Sequence, residues 1–407
     1  MNKIFFFLLL FLPILGQSQI SKEQQAKIEA LNNYLHFSNE SKHGLMIVHR
    51  LLETFNQRVN KYVDLESNQL NFYSNADLPQ NIFVDEEHWF YDVSPYVWYD
   101  KAMAASKKLP ATTAAQLQNE ADKMKRIITR INTIRFELDD LTEGKDLKQR
   151  KNLPKIYQTL EACVTLYDDF NVAKRRLKNA AKKGFAALNI ANDNKALGNI
   201  IAIHENIRAF LEGVRAEDSK NMMALTQHIE NNLATAESFN IPDRTYANIL
   251  QKAEAFAKVA QKYLDGVAFP TEYKLYGNAY YYYNVEMVAK FNRYGSGLVH
   301  DLNRWVADKQ YPALVQLEEP HFFKVIYPKK EVPKVAEIAT VKPNKIPQNL
   351  DNRAVVIKQK KIQVSPGTIT IEVYDHQLAD GDIISLNYNG HWILKDYPLR
   401  RRARKLT

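Results

Sequence analysis

Cysteine is nearly missing from this chain of 407 residues. Cys163 is the single one, so no internal disulfide can form. A chain of this length buries enough apolar surface to fold without a disulfide. Glycine and proline are sparse over the first 327 residues, as long helices require. Apolar runs are short after the first fifteen residues, and none approaches the roughly 20 residues that a membrane-spanning helix needs. The phosphate loops GxGxxG and GxxxxGK[ST], the zinc helix HExxH and the nucleophile elbow GxSxG are absent too. No cofactor is expected, and nucleotide, zinc-hydrolase and serine-hydrolase chemistry have no support.

The opening residues are informative. Met1-Asn2-Lys3 precedes an apolar run from Ile4 to Leu15, and Gly16-Gln17-Ser18 follows. One charge, a short apolar core and small residues form the pattern of a secretory signal peptide. Residues 1–18 are read as that signal, with the mature chain starting at Gln19. No cysteine near that point offers itself for lipidation. Export to a bacterial periplasm or beyond the cell is the expectation, with no transmembrane segment after cleavage.

Residues 19–327 read as a mainly α body, an antiparallel bundle of several helices. From Thr113, the residues Leu117, Ala121, Met124, Ile127, Ile131, Ile134, Leu138 and Leu141 step by three or four along one stripe. Thr113 with Gln116 offers a capping-box start. Leu153–Leu177 repeats the pattern, with Pro154 in the tolerant first turn. Further helices are expected over 21–63, 191–237, 244–265 and 278–309. The stretch 66–102 breaks the pattern and reads as a long aromatic connection. An internal echo links Phe55-Asn56-Gln57-Arg58-Val59 with Leu302-Asn303-Arg304-Trp305-Val306, and Glu86-Glu87-His88-Trp89-Phe90 with Glu318-Glu319-Pro320-His321-Phe322. Duplication and chance explain it equally well.

Beyond Tyr327 a Pro- and Lys-rich linker is expected over 328–353, then a small β segment over 354–399 that has the strands for only part of a sandwich. Its strands are placed at Ala354–Ile357, Thr368–Tyr374, Ile383–Tyr388 and Trp392–Leu394, with a hairpin turn at Asn389-Gly390. Residues 400–407 read as a basic tail and not as a strand. Positive charge concentrates here. Residues 324–361 hold ten Lys/Arg against three Asp/Glu, while the helical body is close to neutral. Export argues against nucleic acid as a partner. The basic stretch reads as a solvated linker, with an anionic envelope surface as its alternative target.

Asp380-Gly381-Asp382-Ile383-Ile384-Ser385-Leu386-Asn387-Tyr388-Asn389-Gly390, preceded by Ile369-Thr370-Ile371-Glu372-Val373-Tyr374-Asp375, resembles a small β segment near the C-terminus of some exported Bacteroidetes proteins. The likeness covers about a tenth of the chain. It implies the compartment and an accessory binding role, and no catalytic residue.

Candidate sites are few. Trp89, Tyr96, Trp98 and Tyr99 suit a platform for a sugar or peptide, since each ring joins an apolar face to a polar edge, but covering the bundle end is the favoured reading because aromatics mostly serve burial. Tyr280-Tyr281-Tyr282-Tyr283 covers more than one helical turn, so some of these rings are expected at a groove or surface, and Tyr280 and Tyr282 join the ligand-binding candidates. Asp375, Asp380 and Asp382 form a carboxylate-rich loop of the kind Ca²⁺ favours, but the spacing does not match an EF-hand and an Asp-Gly turn is the preferred reading. Cys163 falls on the apolar face of its helix and reads as buried. The adjacent acids Asp139-Asp140, Asp168-Asp169, Glu86-Glu87 and Glu318-Glu319 offer only weak support for glycan hydrolysis. The reading is a non-catalytic envelope or secreted protein that binds a protein or glycan. A glycan-directed hydrolase is the alternative.

Overall fold

Helices with one apolar stripe each must pack against one another, and in the computed structural model they do so in a mainly α body followed by a small β segment. The structure describes residues 20–63, 74–84, 91–147, 149–190, 194–218, 220–292 and 297–328. Of the C-terminal part it describes 370–375, 382–388, 391–400 and 403–406. The chain divides into two compact units at Lys334/Val335. Among the described residues, no helix is long and apolar enough to cross a membrane.

The first unit contains two helical cores. Helices α1 (Lys22–Val63), α2 (Pro95–Ala105), α3 (Ala111–Thr142) and α4 (Leu153–Ala186) enclose one of them. Helices α5 (Lys195–Arg215), α6 (Met222–Ser238), α7 (Arg244–Leu264), α8 (Asn278–Tyr281), α9 (Val288–Phe291) and α10 (Leu298–Asp308) enclose the other. The predicted capping box at Thr113 does not form, because α3 already starts at Ala111, where Pro110 ends the preceding turn. A reciprocal box forms at the start of α1 instead. The Gln24 N–H donates to Ser21 Oγ at 3.1 Å, and the Ser21 N–H donates to Gln24 Oε1 at 3.0 Å.

Three expectations need correction. The irregular stretch ends earlier than predicted, because Ser94-Pro95 starts α2, with proline in the first turn where its missing N–H costs nothing. The predicted helix 191–237 is two helices. Glu217 takes a left-handed φ of 51°, and the Asp218 N–H donates to Gly213 O, which together close a Schellman stop that no glycine announces. The predicted helix 278–309 is broken as well. A π turn over Tyr282–Met287 joins α8 to α9, and α10 restarts after Gly297. A Cβ on Gly297 would collide with the Asn292 carbonyl, so only glycine permits this approach.

After α10 the chain turns out through a second Schellman stop, with Gln310 at φ 53°. It then runs extended from Ala313 to Tyr327 between the two cores, and this segment is called the strap below. Leu317, Phe323 and Val325 enter the first core, and Ala313 enters the second. Most of the strap is buried, and among the described residues it has no strand beside it. Side-chain amides pair many of its backbone groups. Asn303, Asn292, Asn284 and Asn56 each accept from the N–H and donate to the C=O of one strap residue, namely Gln316, Glu319, Phe322 and Ile326. Asn32 bridges Ala313 O and Val315 N, and Asn39 bridges Gln316 O and Glu318 N. The dimensions explain the spacing. Seven residues of α1, from Asn32 to Asn39, rise about 10.5 Å, and three extended residues, from Val315 to Glu318, span about 10 Å. The strap therefore runs alongside α1 in the same direction. The echo pair Asn56 and Asn303 both serve as clamps, while its other half, Glu86–Phe90, lies outside the described residues.

In the second unit, β2 (Ile383–Tyr388) pairs antiparallel with β3 (His391–Pro398), as the expected hairpin requires. The basic tail is corrected to a strand. Residues Arg404–Leu406 (β4) pair antiparallel with Ile371–Val373 (β1), and Lys405 Nζ lies 3.0 Å from Glu372 Oε1 across the ladder. The cross-strand carboxylate makes a place for charge that composition alone reads as a loop. The predicted strand Ala354–Ile357 and most of the linker lie outside the described residues.

Replacing Asn292 by Ala removes both bonds to Glu319 and leaves a buried N–H and C=O without partners. The expected loss is about 2–5 kcal/mol in urea unfolding, with native helicity unchanged. A loss below about 1 kcal/mol would show that the clamp is not holding the strap.

Candidate functional site

Ionisable groups gather along the strap. Glu318 and Glu319 are neighbours in extended chain, so their side chains diverge to opposite sides. Glu318 Oε2 meets Lys42 Nζ of α1 at 3.0 Å, and Glu319 meets Lys174 Nζ of α4, all four groups being at most 2% exposed. Around them Lys178 reaches Glu205 at 2.6 Å, and Arg208 reaches Glu212 at 2.6 Å. The His204 Nε2 ring nitrogen lies 3.2 Å from Leu317 O. Burial lowers Lys174 to about 8 against the opposing pull of Glu319. Burial alone would raise the Glu319 carboxyl, but Lys174, Arg208 and Lys178 outweigh it and hold it below its ordinary value. The pair is therefore charged at neutral pH. The acid pair Glu318-Glu319 is split between two lysines and offers no shared cleft to a substrate.

Further along, the Tyr280 hydroxyl donates to Glu53 and lies 3.2 Å from His49 Nε2, which in turn lies 3.1 Å from Phe322 O. His321 stacks near His49, with ring centroids 4.9 Å apart. Burial lowers both histidines. These groups face one another and the strap backbone, in a region closed to solvent.

The predicted aromatic residues divide between sites. Trp89 lies outside the described residues. Tyr96, Trp98 and Tyr99 come together on α2, half-buried. Trp98 stacks on His36 at 4.3 Å, with Lys101 Nζ 4.5 Å from the Trp98 ring centroid. Lys125 Nζ lies 3.8 Å from the Tyr99 ring centroid and 4.9 Å from that of Tyr96, while their hydroxyls meet Asp122 and Thr129. These contacts fasten α2 onto α1 and α3.

Tyr280, Tyr282 and Tyr283 are buried and Tyr281 is half-buried against Phe269 and Tyr273, and of the four Tyr280 lines the groove described below. The π turn widens the helix and changes the angular step from ring to ring. Tyr282 donates to Val267 O at 3.2 Å.

Of the carboxylate loop, Asp380 lies outside the described residues. The Asp375 N–H donates to Arg400 O, and Asp382 O accepts from the Leu399 N–H, so both backbones serve sheet ends. Among the described residues, no group of three His, Cys, Asp or Glu side chains is placed to hold a metal. Cys163 is fully buried and its thiol is pushed up to about 12 by burial, which keeps it protonated at neutral pH.

One concave surface adjoins the strap. It is a groove of about 420 Å³ with Tyr276, Tyr280 and Phe322 beneath it and a rim of Glu161, Asp168, Arg215, Glu217 and Lys324. Arg215 Nη2 meets Asp168 Oδ1 at 2.6 Å, the Tyr327 hydroxyl donates to Glu161, and Lys324 Nζ donates to Tyr276 O at 3.2 Å. Sequence reasoning found Tyr280 but missed the rim, because the rim residues come from three separate segments. Comparison of the chain with protein-family models, with curated proteins and with solved structures finds no match.

The Glu319 carboxyl sits lower when folded than its unfolded value near 4.3. Its contribution is therefore present above about pH 4.3 and lost as pH falls through the folded value. Glu319→Gln is expected to cost about 3–5 kcal/mol at pH 7, because Lys174 keeps its bond to the Glu318 carbonyl but is left buried without its counter-charge. Lys174→Met/Glu319→Gln should recover much of that loss and show a shallower decline on acidification. Equal acid sensitivity of the double variant and the natural chain, by urea unfolding, would contradict a charged Glu319.

Proposed function

We propose that this is an exported, non-catalytic binding or scaffold protein of the cell envelope or the secreted fraction, and that its helical body takes a protein or glycan partner in the groove beside the strap. The signal-like N-terminus and the resemblance of the β segment support export. The observation that carries the binding role is the groove itself. Half-buried Phe322 lies beneath a rim of both charge signs, with Tyr276 and Tyr280 buried behind it, an arrangement that meets a polar ligand with charged hydrogen bonds around one apolar contact. The buried acids and histidines favour a scaffold, because they are directed at the strap and at one another.

A glycan hydrolase is the second reading, and Glu161, Asp168 and Glu217 on one rim are what favour it. General acid catalysis needs a carboxyl kept protonated by burial. These three side chains are exposed, Asp168 is tied to Arg215, and Glu161 accepts from Tyr327.

The test is a pulldown of residues 19–407 on purified cell-wall sacculi and envelope fractions, at low and high salt, beside Lys324→Glu. Lys324 is exposed and its hydrogen bond is to Tyr276 O, so the thermal unfolding of the variant is compared with that of the natural chain. Binding that survives high salt and falls with Lys324→Glu is expected. Binding that vanishes in salt and ignores Lys324 would move recognition to the basic linker. Release of soluble sugar from the sacculi would favour the hydrolase.

A further inference from the structure

A second groove of about 420 Å³ lies between α3 and α4, away from the strap. Its floor is aliphatic, formed by Ile127, Leu166, Val172 and Ala173, and its rims carry Lys123, Arg126, Arg130 and Arg176 against Glu120 and Asp169. Ile127 belongs to the predicted stripe of α3, yet it is only half-buried, while its neighbour Ile128 fills the core. The helix thus carries apolar side chains on two faces. One meets α1 and α4, and the other opens to this groove.

The charges are not balanced within the groove. Lys123 meets Glu120 at 2.8 Å, and Arg130 is engaged through both guanidinium nitrogens by Glu137, which lies outside the groove. Arg126 and Arg176 are exposed and make no ion pair or hydrogen bond with any described residue. The lining residues of α3, from Glu120 to Arg130, cover about 15 Å, or nearly three helical turns. α1 already packs against α3 and α4, so the groove offers the seat of a further helix in the bundle.

The geometry points to this groove as a docking site for an acidic amphipathic helix of a partner protein. Apolar side chains at i, i+3/i+4 and i+7 would lie on Ile127, Leu166 and Val172, and flanking carboxylates would meet Arg126 and Arg176. Charge complementarity selects the occupant. Aliphatic floors suit a helix face better than a sugar ring, which stacks on aromatics, and two open guanidiniums select carboxylates.

The test uses the full chain and two synthetic helical peptides that share one apolar face, one flanked by glutamates and one by lysines, measured by calorimetry. The glutamate peptide should bind, and the lysine peptide should bind about tenfold more weakly or not at all. Arg126→Glu/Arg176→Glu should reverse this preference while the thermal unfolding curve stays in place, since neither arginine has a partner among the described residues. Equal binding of both peptides, or a preference that the double variant leaves unchanged, would overturn the assignment. A linear polyuronate that binds and is lost in the double variant, with neither peptide bound, would overturn it in favour of an acidic glycan.

Discussion

A largely buried extended segment, with no neighbouring strand among the described residues, is the constraint on which the first unit depends. Each backbone N–H and C=O of the strap must find a partner or cost free energy. Asparagine solves this because its amide carries a donor and an acceptor side by side, as a peptide unit does. Clamps reach the strap from α1 on one side, and from the π turn (Asn284), the end of α9 (Asn292) and α10 (Asn303) on the other. The strap thereby joins two helical cores, beside the direct contacts Lys178–Glu205, Arg215–Asp168 and Tyr280–Glu53. Because the amides read backbone and not side chain, specificity falls to the ion pairs. Glu318 and Glu319 fit in one register only, with Lys42 on one flank and Lys174 on the other.

That division of labour shapes the functional reading. Buried charges are costly to assemble and costlier to break. Here they hold the strap in register, which leaves surface chemistry to the two grooves. One has aromatics beneath a rim of mixed charge, and the other is aliphatic with open guanidiniums. The two differ in the chemistry they would accept, so a scaffold with two separate partners follows naturally from the proposed function.

Much of the fold was legible in the sequence. The stripes over Leu117–Leu138 and Ile156–Phe170 announced α3 and α4, and the hairpin signal announced the β2–β3 pairing, although Asn389-Gly390 itself lies outside the described residues. The Schellman stop at Glu217 was not legible, because its left-handed residue is not glycine. The strap was not legible either, since isolated asparagines look like weak helix formers. Asn32, Asn39, Asn56 and Asn60 inside one long helix were nonetheless a usable signal. Asparagine is a poor choice mid-helix unless its side chain has work elsewhere. Of the candidate site, Tyr280 was legible from composition. The groove rim was not, because Asp168, Arg215 and Lys324 meet only through the tertiary fold.

Native-state hydrogen exchange on the strap amides tests the central claim most directly. The account predicts that Val315, Gln316, Glu318, Glu319, Phe322 and Ile326 exchange only through global unfolding, as slowly as the core of α1. Fast exchange of these amides, with the helices still protected, would show a loosely held connection and would contradict the strap as the element that unites the body.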